Sequence, residues 1–209
     1  MKKKINKFKI IMTFVFIVLA FLLLYSLKDI INVLNNNGES KVEILEQIKD
    51  YDYSLTENDS KYFKTVFNEL KKELSNKEIE EEKYAELIGE LFVIDFFSLD
   101  NAISKNDVGG LQFIYTDYKE SFIKFAKDGI YKYVNSNIYD NREQVLPIVK
   151  DVEINSIKQQ VVAFNNDITD ELAYYVELTI TYEEDLEYQE KASLIIIHNN
   201  DKLEIAKME

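Results

Sequence analysis

The heptapeptide LFVIDFF, residues 91–97, leaves this chain fewer folding options than any other stretch. It continues a helical pattern in which Tyr84, Leu87, Ile88 and Leu91 share one face, and from Leu91 onward the helix is apolar on nearly every side. Such a helix has no face to give to water, so it has to be enclosed. The fold is therefore a problem of what surrounds residues 91–97.

Two kinds of element are on offer. Asp59 or Ser60 caps an earlier helix whose residues Phe63, Val66, Phe67, Leu70 and Leu74 share a face, and Ser75 with Glu78 has the capping-box spacing for the start of the next. Asp117 with Glu120 predicts a third cap, followed by Phe122, Phe125, Ala126, Ile130 and Tyr133 on an inner stripe. Past residue 148 the period falls to two. Leu172, Tyr174, Val176, Leu178, Ile180 and Tyr182 alternate with Ala173, Tyr175, Glu177, Thr179, Thr181 and Glu183, the pattern of an antiparallel strand with one wet face. A strand region over 148–164, irregular near Asn155 and Ser156, precedes it, and strands over 188–198 and 202–208 follow. The connectors NNDITD, EEDLE and NND are short turn chemistry, so neighbours should pair as a meander. YDYSL, residues 51–55, reads as an edge strand or an extended arm. Helices first and a curved four-stranded antiparallel sheet last predict an α+β domain.

That domain follows an apolar run. Residues 10–27, opening on Ile10 and closing on Leu27, hold no charge, glycine or proline. At 1.5 Å per residue they make about 27 Å of helix, enough to cross a hydrocarbon core of about 30 Å when Tyr25 and Lys28 reach the far interface. A cleaved signal peptide is the rival, but its apolar region is shorter and ends in small residues, whereas this one ends LLLYSLKD. Lys2, Lys3, Lys4, Lys7 and Lys9 precede the run, so the N-terminus is expected in the cytoplasm and the remainder outside. The expected organisation is a basic cytoplasmic tail over 1–9, a transmembrane helix and its extension over 10–34, a linker over 35–40 and one extracytoplasmic domain over 41–209.

Charge and cysteine content narrow the function. Six of the 25 basic residues and one of the 38 acids lie before residue 30, which leaves 19 bases against 37 acids and a net of −18 beyond it. An excess of that size repels nucleic acid and anionic lipid. The chain has no cysteine, which removes disulfides, thiolate catalysis, thiolate metal sites and a lipidated cysteine together.

The order helix, helix, short strand, helix and four strands resembles the nuclear-transport-factor-2-like cone. With a single N-terminal span it looks like the inner-membrane scaffold subunits of type IV secretion and conjugation systems. Through FFSLDNAISKNDVGG and YKYVNSNIYDNREQVLPIV the chain is also similar to a group of uncharacterised single-span membrane-anchored proteins of clostridia and related low-GC bacteria. The first resemblance implies a cone-shaped fold and an envelope assembly, and the second implies no activity, since fold does not fix function.

The candidate chemistry clusters in residues 95–115. Asp95, Asp100 and Asp107 suggest a cation loop, but counting from Asp100 the sixth residue is Lys105 where glycine is needed and the twelfth is Leu111 where an acid is needed. No metal or cofactor is expected. Asp100, Asn101 and Asp107 instead read as a polar turn, and Gly109 and Gly110 as a backbone turn into a short strand on which Leu111, Phe113 and Tyr115 alternate. Neither GxxxxGK nor GxGxxG is present to bind phosphate. Asp95, alone in an apolar helix, needs donors or a proton. It either ties down the amides around Gly109 and Gly110 or serves, with tyrosines, as an acid in a cone cavity. His198 is the only histidine and reads as an exposed hairpin-end residue rather than part of a triad. Tyr131, Tyr133, Tyr139, Tyr174, Tyr175, Tyr182 and Tyr188 fill a core, line a cavity or form a contact surface. The expected function is a non-enzymatic, membrane-anchored interaction or scaffold domain with protein partners or further copies of itself. The alternative is a small-ligand-binding or enzymatic cavity built on Asp95 and tyrosines.

Overall fold

The computed structural model describes residues 43–164 and 168–209; the expected tail, span and linker lie outside these, as does the first half of the NNDITD turn. Among the described residues no helix is long and apolar enough to cross a membrane. They belong to one compact unit, Glu43–Glu209.

Ser60 opens the first helix, α1 (Lys61–Leu74), because its hydroxyl accepts the Phe63 N–H at 3.0 Å and satisfies a donor the helix itself cannot. Phe63, Val66, Phe67 and Leu70 are buried on one face. Ser75 does not open the next helix with Glu78, contrary to its spacing. It closes α1, with its hydroxyl donating to the Lys72 carbonyl at 2.7 Å and its N–H directed at the Lys71 carbonyl, while the next helix starts only after Glu80, five residues further on. The second helix, α2 (Glu81–Phe97), starts after Glu80 without a side-chain cap. Glu81 and Glu82 favour that end by facing the helix dipole, and the Glu73 carboxylate takes the Glu80 N–H at 2.8 Å.

Eleven of the 17 residues of α2 are buried, spread round the helix, so it is enclosed as its sequence requires. α1 covers one side. Phe122 covers another, with ring centroids 5.8 Å from Phe92 and 5.0 Å from Phe96. The sheet covers the rest. It is an antiparallel meander of β3 (Val149–Phe164), β4 (Ile168–Tyr182), β5 (Lys191–Asn199) and β6 (Lys202–Met208), in that spatial order.

The alternation on β4 holds from Tyr174 to Ile180 and then fails toward the start of the strand, where Leu172 is 54% exposed and Ala173 is buried. The cause is a bulge between Gln160 and Val162, which exchanges the two faces. Further bulges lie at Val149/Asp151 and, as the sequence suggests near Asn155, at Ile154/Ser156. Each adds bend and twist. The end of β3 and the start of β4 consequently curl over the outer sheet face, where Phe164, Ala173 and Ile197 are buried together and the Phe164 ring lies 5.4 Å from that of Tyr115. Tyr115 sits at the far edge of the sheet, its N–H on the Ile205 carbonyl at 2.9 Å.

Three expectations are corrected. Residues 111–115 do not form a strand: two 3-10 turns, Leu111–Phe113 and Thr116–Tyr118, flank a single bridge from Ile114 to Ile205, because Gly110 turns the chain with φ 76° and its carbonyl takes the Phe113 N–H. The third helix, α3 (Lys119–Asp128), follows directly from the second turn, so Asp117 lies within that turn rather than at a cap. Its inner stripe is also narrower than predicted. Phe122 and Ala126 pack inward, whereas Phe125 is 79% and Tyr133 71% exposed, and Ile130 and Tyr133 fall beyond the helix end at Gly129. YDYSL contributes β2 (Tyr53–Thr56), which pairs with a strand the sequence reading did not contain, β1 (Ile44–Ile48).

Gly89 faces the sheet from the middle of α2, and a methyl group there would meet Leu194, Leu178 and Val176 at 3.4 to 3.8 Å, ordinary contact distances. Alanine also gains about 1 kcal/mol of helix propensity over glycine. Gly89→Ala should therefore raise stability by about 0.5–1 kcal/mol, whereas Gly89→Val should lower it by about 1–3 kcal/mol through overpacking. Urea unfolding of the two variants measures both signs.

Candidate functional site

The polar turn at the end of α2 is a clasp. Asp95 Oδ2 accepts the Gly110 N–H at 2.8 Å, while the Tyr131 hydroxyl donates to the Phe96 carbonyl and accepts the Gly109 N–H, both at 2.9 Å. Gly109 has no alternative as a residue, because a Cβ there would stand 2.3 Å from the Asp95 carbonyl oxygen. Asn101 donates to the Asn58 carbonyl at 3.0 Å, Asp107 accepts the Ile103 N–H at 3.0 Å, and the Arg142 guanidinium holds the carbonyls of Ala102 and Asp100. Burial pushes the Asp95 carboxyl up to about 6, against the lowering effect of the Gly110 N–H. Burial likewise raises the Asp100 carboxyl and the Tyr131 hydroxyl.

His198 is not an exposed hairpin end. Its side chain is 26% exposed, and Nδ1 lies 2.9 Å from Asp170 Oδ2, which also takes the His198 backbone N–H at 2.7 Å. The other ring nitrogen lies 3.7 Å from Glu81 Oε2; the Tyr174 hydroxyl joins the set by donating to the same Glu81 oxygen at 3.4 Å and accepts from Gln159 Nε2 at 3.1 Å. Burial raises the Asp170 carboxyl, but the His198 N–H, the His198 ring and the Leu172 N–H outweigh it and hold the group below its ordinary range. The imidazole thus has acids on both nitrogens where a triad needs a nucleophilic hydroxyl on one. It ties the start of β4, the end of β5 and the start of α2 into one polar lock. The turn-end position of His198 did not signal this, because Asp170 and Glu81 lie 28 and 117 residues away in sequence.

A feature that can receive another molecule lies at neither place. An apolar groove of about 1000 Å³, half open to solvent, runs between α3 and the end of the sheet. Phe96, Phe97 and Ile114 lie among its floor residues, Phe122 and Phe125 of α3 on one wall, and the 186–189 loop on the other. That loop is held by the Tyr182 hydroxyl on the Gln189 carbonyl at 2.7 Å and by Glu187 in the left-handed region at φ 59°. A volume of this size is at the upper end of the range for sites that bind ligands. Asp95 does not line the groove, although its neighbours Phe96 and Phe97 do. Of the seven tyrosines considered, Tyr133 and Tyr188 reach it; Tyr131 serves the clasp, Tyr174 the polar lock, and Tyr139 is 85% exposed on a loop. The sequence did hold a signal for the loop wall. EEDLEYQE places Leu186 and Tyr188 among acids, which a mere turn does not require.

Comparison of the chain with protein-family models, curated proteins and solved structures finds no match in any of the three.

The clasp makes two predictions. Gly109→Ala should cost at least about 2 kcal/mol, since backbone rather than a yielding side chain blocks the methyl group. Asp95→Asn keeps an acceptor for Gly110 and removes the buried charge. Because the folded-state pKa of Asp95 lies above the ordinary value of 3.8, the group favours the folded state most below that value and loses this contribution as pH rises to about 6. The Asn variant should therefore gain on the parent between pH 4 and pH 7, by of the order of 2 kcal/mol. Denaturant unfolding at those two pH values reads the difference directly.

Proposed function

We propose that the protein is anchored by one N-terminal span and that its outer domain is a non-enzymatic protein-interaction module acting through the groove beside α3. The observation that carries this reading is the rim. Phe125 and Tyr133, 79% and 71% exposed, stand at the mouth of an apolar groove on a domain that is otherwise strongly acidic. Exposed aromatic side chains beside an apolar hollow are characteristic of surfaces that bind partners. The partner is another envelope protein or a further copy of the chain.

The anchor draws on the uncharged run over 10–27 and the five lysines before it, which favour an N-terminus in the cytoplasm and a domain outside. The curled meander wrapped on α2 supports a cone of the nuclear-transport-factor-2-like kind, and with the anchor it supports a place in a secretion- or conjugation-type envelope assembly. The raised Asp95 carboxyl favours the alternative of a cavity acid; its bond to Gly110 and its position off the groove favour the clasp.

A photo-crosslinking residue at Phe125 should trap a defined partner in intact cells, and the same residue at Lys72, exposed on α1, should not. Recovery of uncrosslinked monomer at both positions would count against the interaction reading. Topology has a separate measurement: Ser40→Cys and Asn200→Cys should both react with an impermeant maleimide in whole cells, and protection of both would reverse the orientation.

A further inference from the structure

We infer that two copies of the chain join edge to edge through β3, antiparallel about Gln159, at a surface separate from the groove. An outermost strand offers a row of unpaired N–H and C=O groups, and native sheets guard such rows. Here the guarding stops part-way. On the far side of the sheet, the Tyr115 N–H and the Ile114 bridge hold Ile205 of β6. On the near side, Ser98 Oγ accepts the Val149 N–H and the Tyr62 hydroxyl accepts the Val152 N–H, both at 3.1 Å. Beyond the bulge at Ile154/Ser156, β3 runs on to Phe164 with β4 on one side and, among the described residues, no strand on the other.

The backbone direction can be followed along that stretch. The Val152 N–H meets Tyr62 instead of β4, so it faces the open edge. Alternation carries this to Ile154, and the extra residue in the bulge moves it to Ile157, Gln159 and Val161. A two-fold axis at Gln159 lets these three residues exchange hydrogen bonds with Val161, Gln159 and Ile157 of the second copy. It also sets Val161, 68% exposed in a single copy, against Ile157, which packs at the margin of the core. Lys158, the only charge in the stretch, falls opposite Gln160 and not opposite itself. The same sequence reversed thus supplies a fitting neighbour at each position, which is what an isologous contact requires.

Charge explains why the contact is made here. Two copies of a domain with 19 bases and 37 acids after residue 29 repel each other over most of their surface. Residues 154–166 hold one lysine and no acid, the longest acid-free run after Asp29. Residues 157–164 also lack glycine and proline and include Ile157, Val161, Val162 and Phe164, a composition that favours strand pairing. A strongly charged strand from another protein gains nothing from an edge with a single charge, whereas a second copy brings the matched register.

Such a contact is small and reversible, so the test traps it. The chain has no cysteine, and single cysteines report without background. In the purified full chain in dodecyl maltoside, mild oxidation should link Gln159→Cys into a disulfide dimer. It should also link Ile157→Cys to Val161→Cys when the two variants are mixed, but neither to itself, and Lys207→Cys on β6 should stay monomeric. The pairing puts the linked Cα atoms about 5.5 Å apart, within disulfide range. Adding Val161→Lys or Val161→Pro to Gln159→Cys should lower the linked fraction at least about tenfold. Val161 is exposed and its N–H lies outside the β4 ladder, so both variants should fold, and urea unfolding checks that they do. Phe125→Ser should leave the link intact, which separates this contact from the groove. Monomer at Gln159→Cys would overturn the inference, as would equal linking at residues 157, 159, 161 and 207, the mark of random collision. A link at Gln159→Cys that survives both changes at Val161 would place the contact elsewhere and overturn it too.

Discussion

From Leu91 onward α2 has almost no side that water can wet, and the other elements are arranged around that fact. α1, α3 and the sheet each bury one face and expose another, so each can cover part of α2 and none can replace it at the centre. An antiparallel sheet tolerates one solvated face, which is why the layer on the far side can be thin. The burial of β3 reflects this: most of its residues are exposed or half-buried, while Val176, Leu178, Leu194 and Ile196 on the central strands are sealed against α2.

The groove is a consequence of how that enclosure ends. α3 is ten residues long and stops at Gly129, so it shields α2 through Phe122 and Ala126 and leaves a hollow along its flank, lined at depth by the buried Phe96 and Phe97. The sheet does not close the gap, because its bulges bend the β3–β4 hairpin the other way, over the outer face toward Tyr115. What remains is bridged by the 186–189 loop. Apolar surface left open in this manner is either occupied by a partner or costs solubility.

What the sequence made legible follows the range of each interaction. The cap at Ser60, the fully buried helix, the irregularity near Asn155 and the meander are local or depend on periodicity, and they could be read from a few neighbouring residues. The failures involve competition. Ser75 had two helix ends within reach and serves the earlier one; LQFIY alternates like a strand, yet Gly110 commits it to 3-10 turns. Phe125 belongs by spacing to the inner stripe of α3, but a helix that short packs through fewer turns, and the residue stays outside. The tie from Asp95 to the glycine turn was readable because a carboxylate alone in LFVIDFF has to find donors nearby. The partners of His198 were not, since they come together only when the sheet closes on α2.

A helix whose last two turns are apolar on nearly every side raises a further difficulty, because hydrophobic burial alone leaves the rotation and the axial register of that part poorly specified. Polar ties supply the missing information. Glu81 faces His198; the Tyr84 hydroxyl accepts the Leu203 N–H at 3.1 Å and meets the Tyr53 hydroxyl at 2.8 Å; Glu90 takes the Tyr62 hydroxyl at 2.7 Å, which in turn accepts the Val152 N–H at 3.1 Å; Asp95 holds Gly110. These four positions point at β5, β6, β3 and the glycine turn; Glu90 reaches β3 through Tyr62 of α1, and Tyr53 of β2 braces the Tyr84 contact to β6. Turning or sliding α2 by one residue would break several at once and strand buried donors, at about 1–3 kcal/mol each. The apolar residues place α2 at the centre, and the few polar ones decide which way it faces, so that Phe96 and Phe97 are presented to the groove and Asp95 is not.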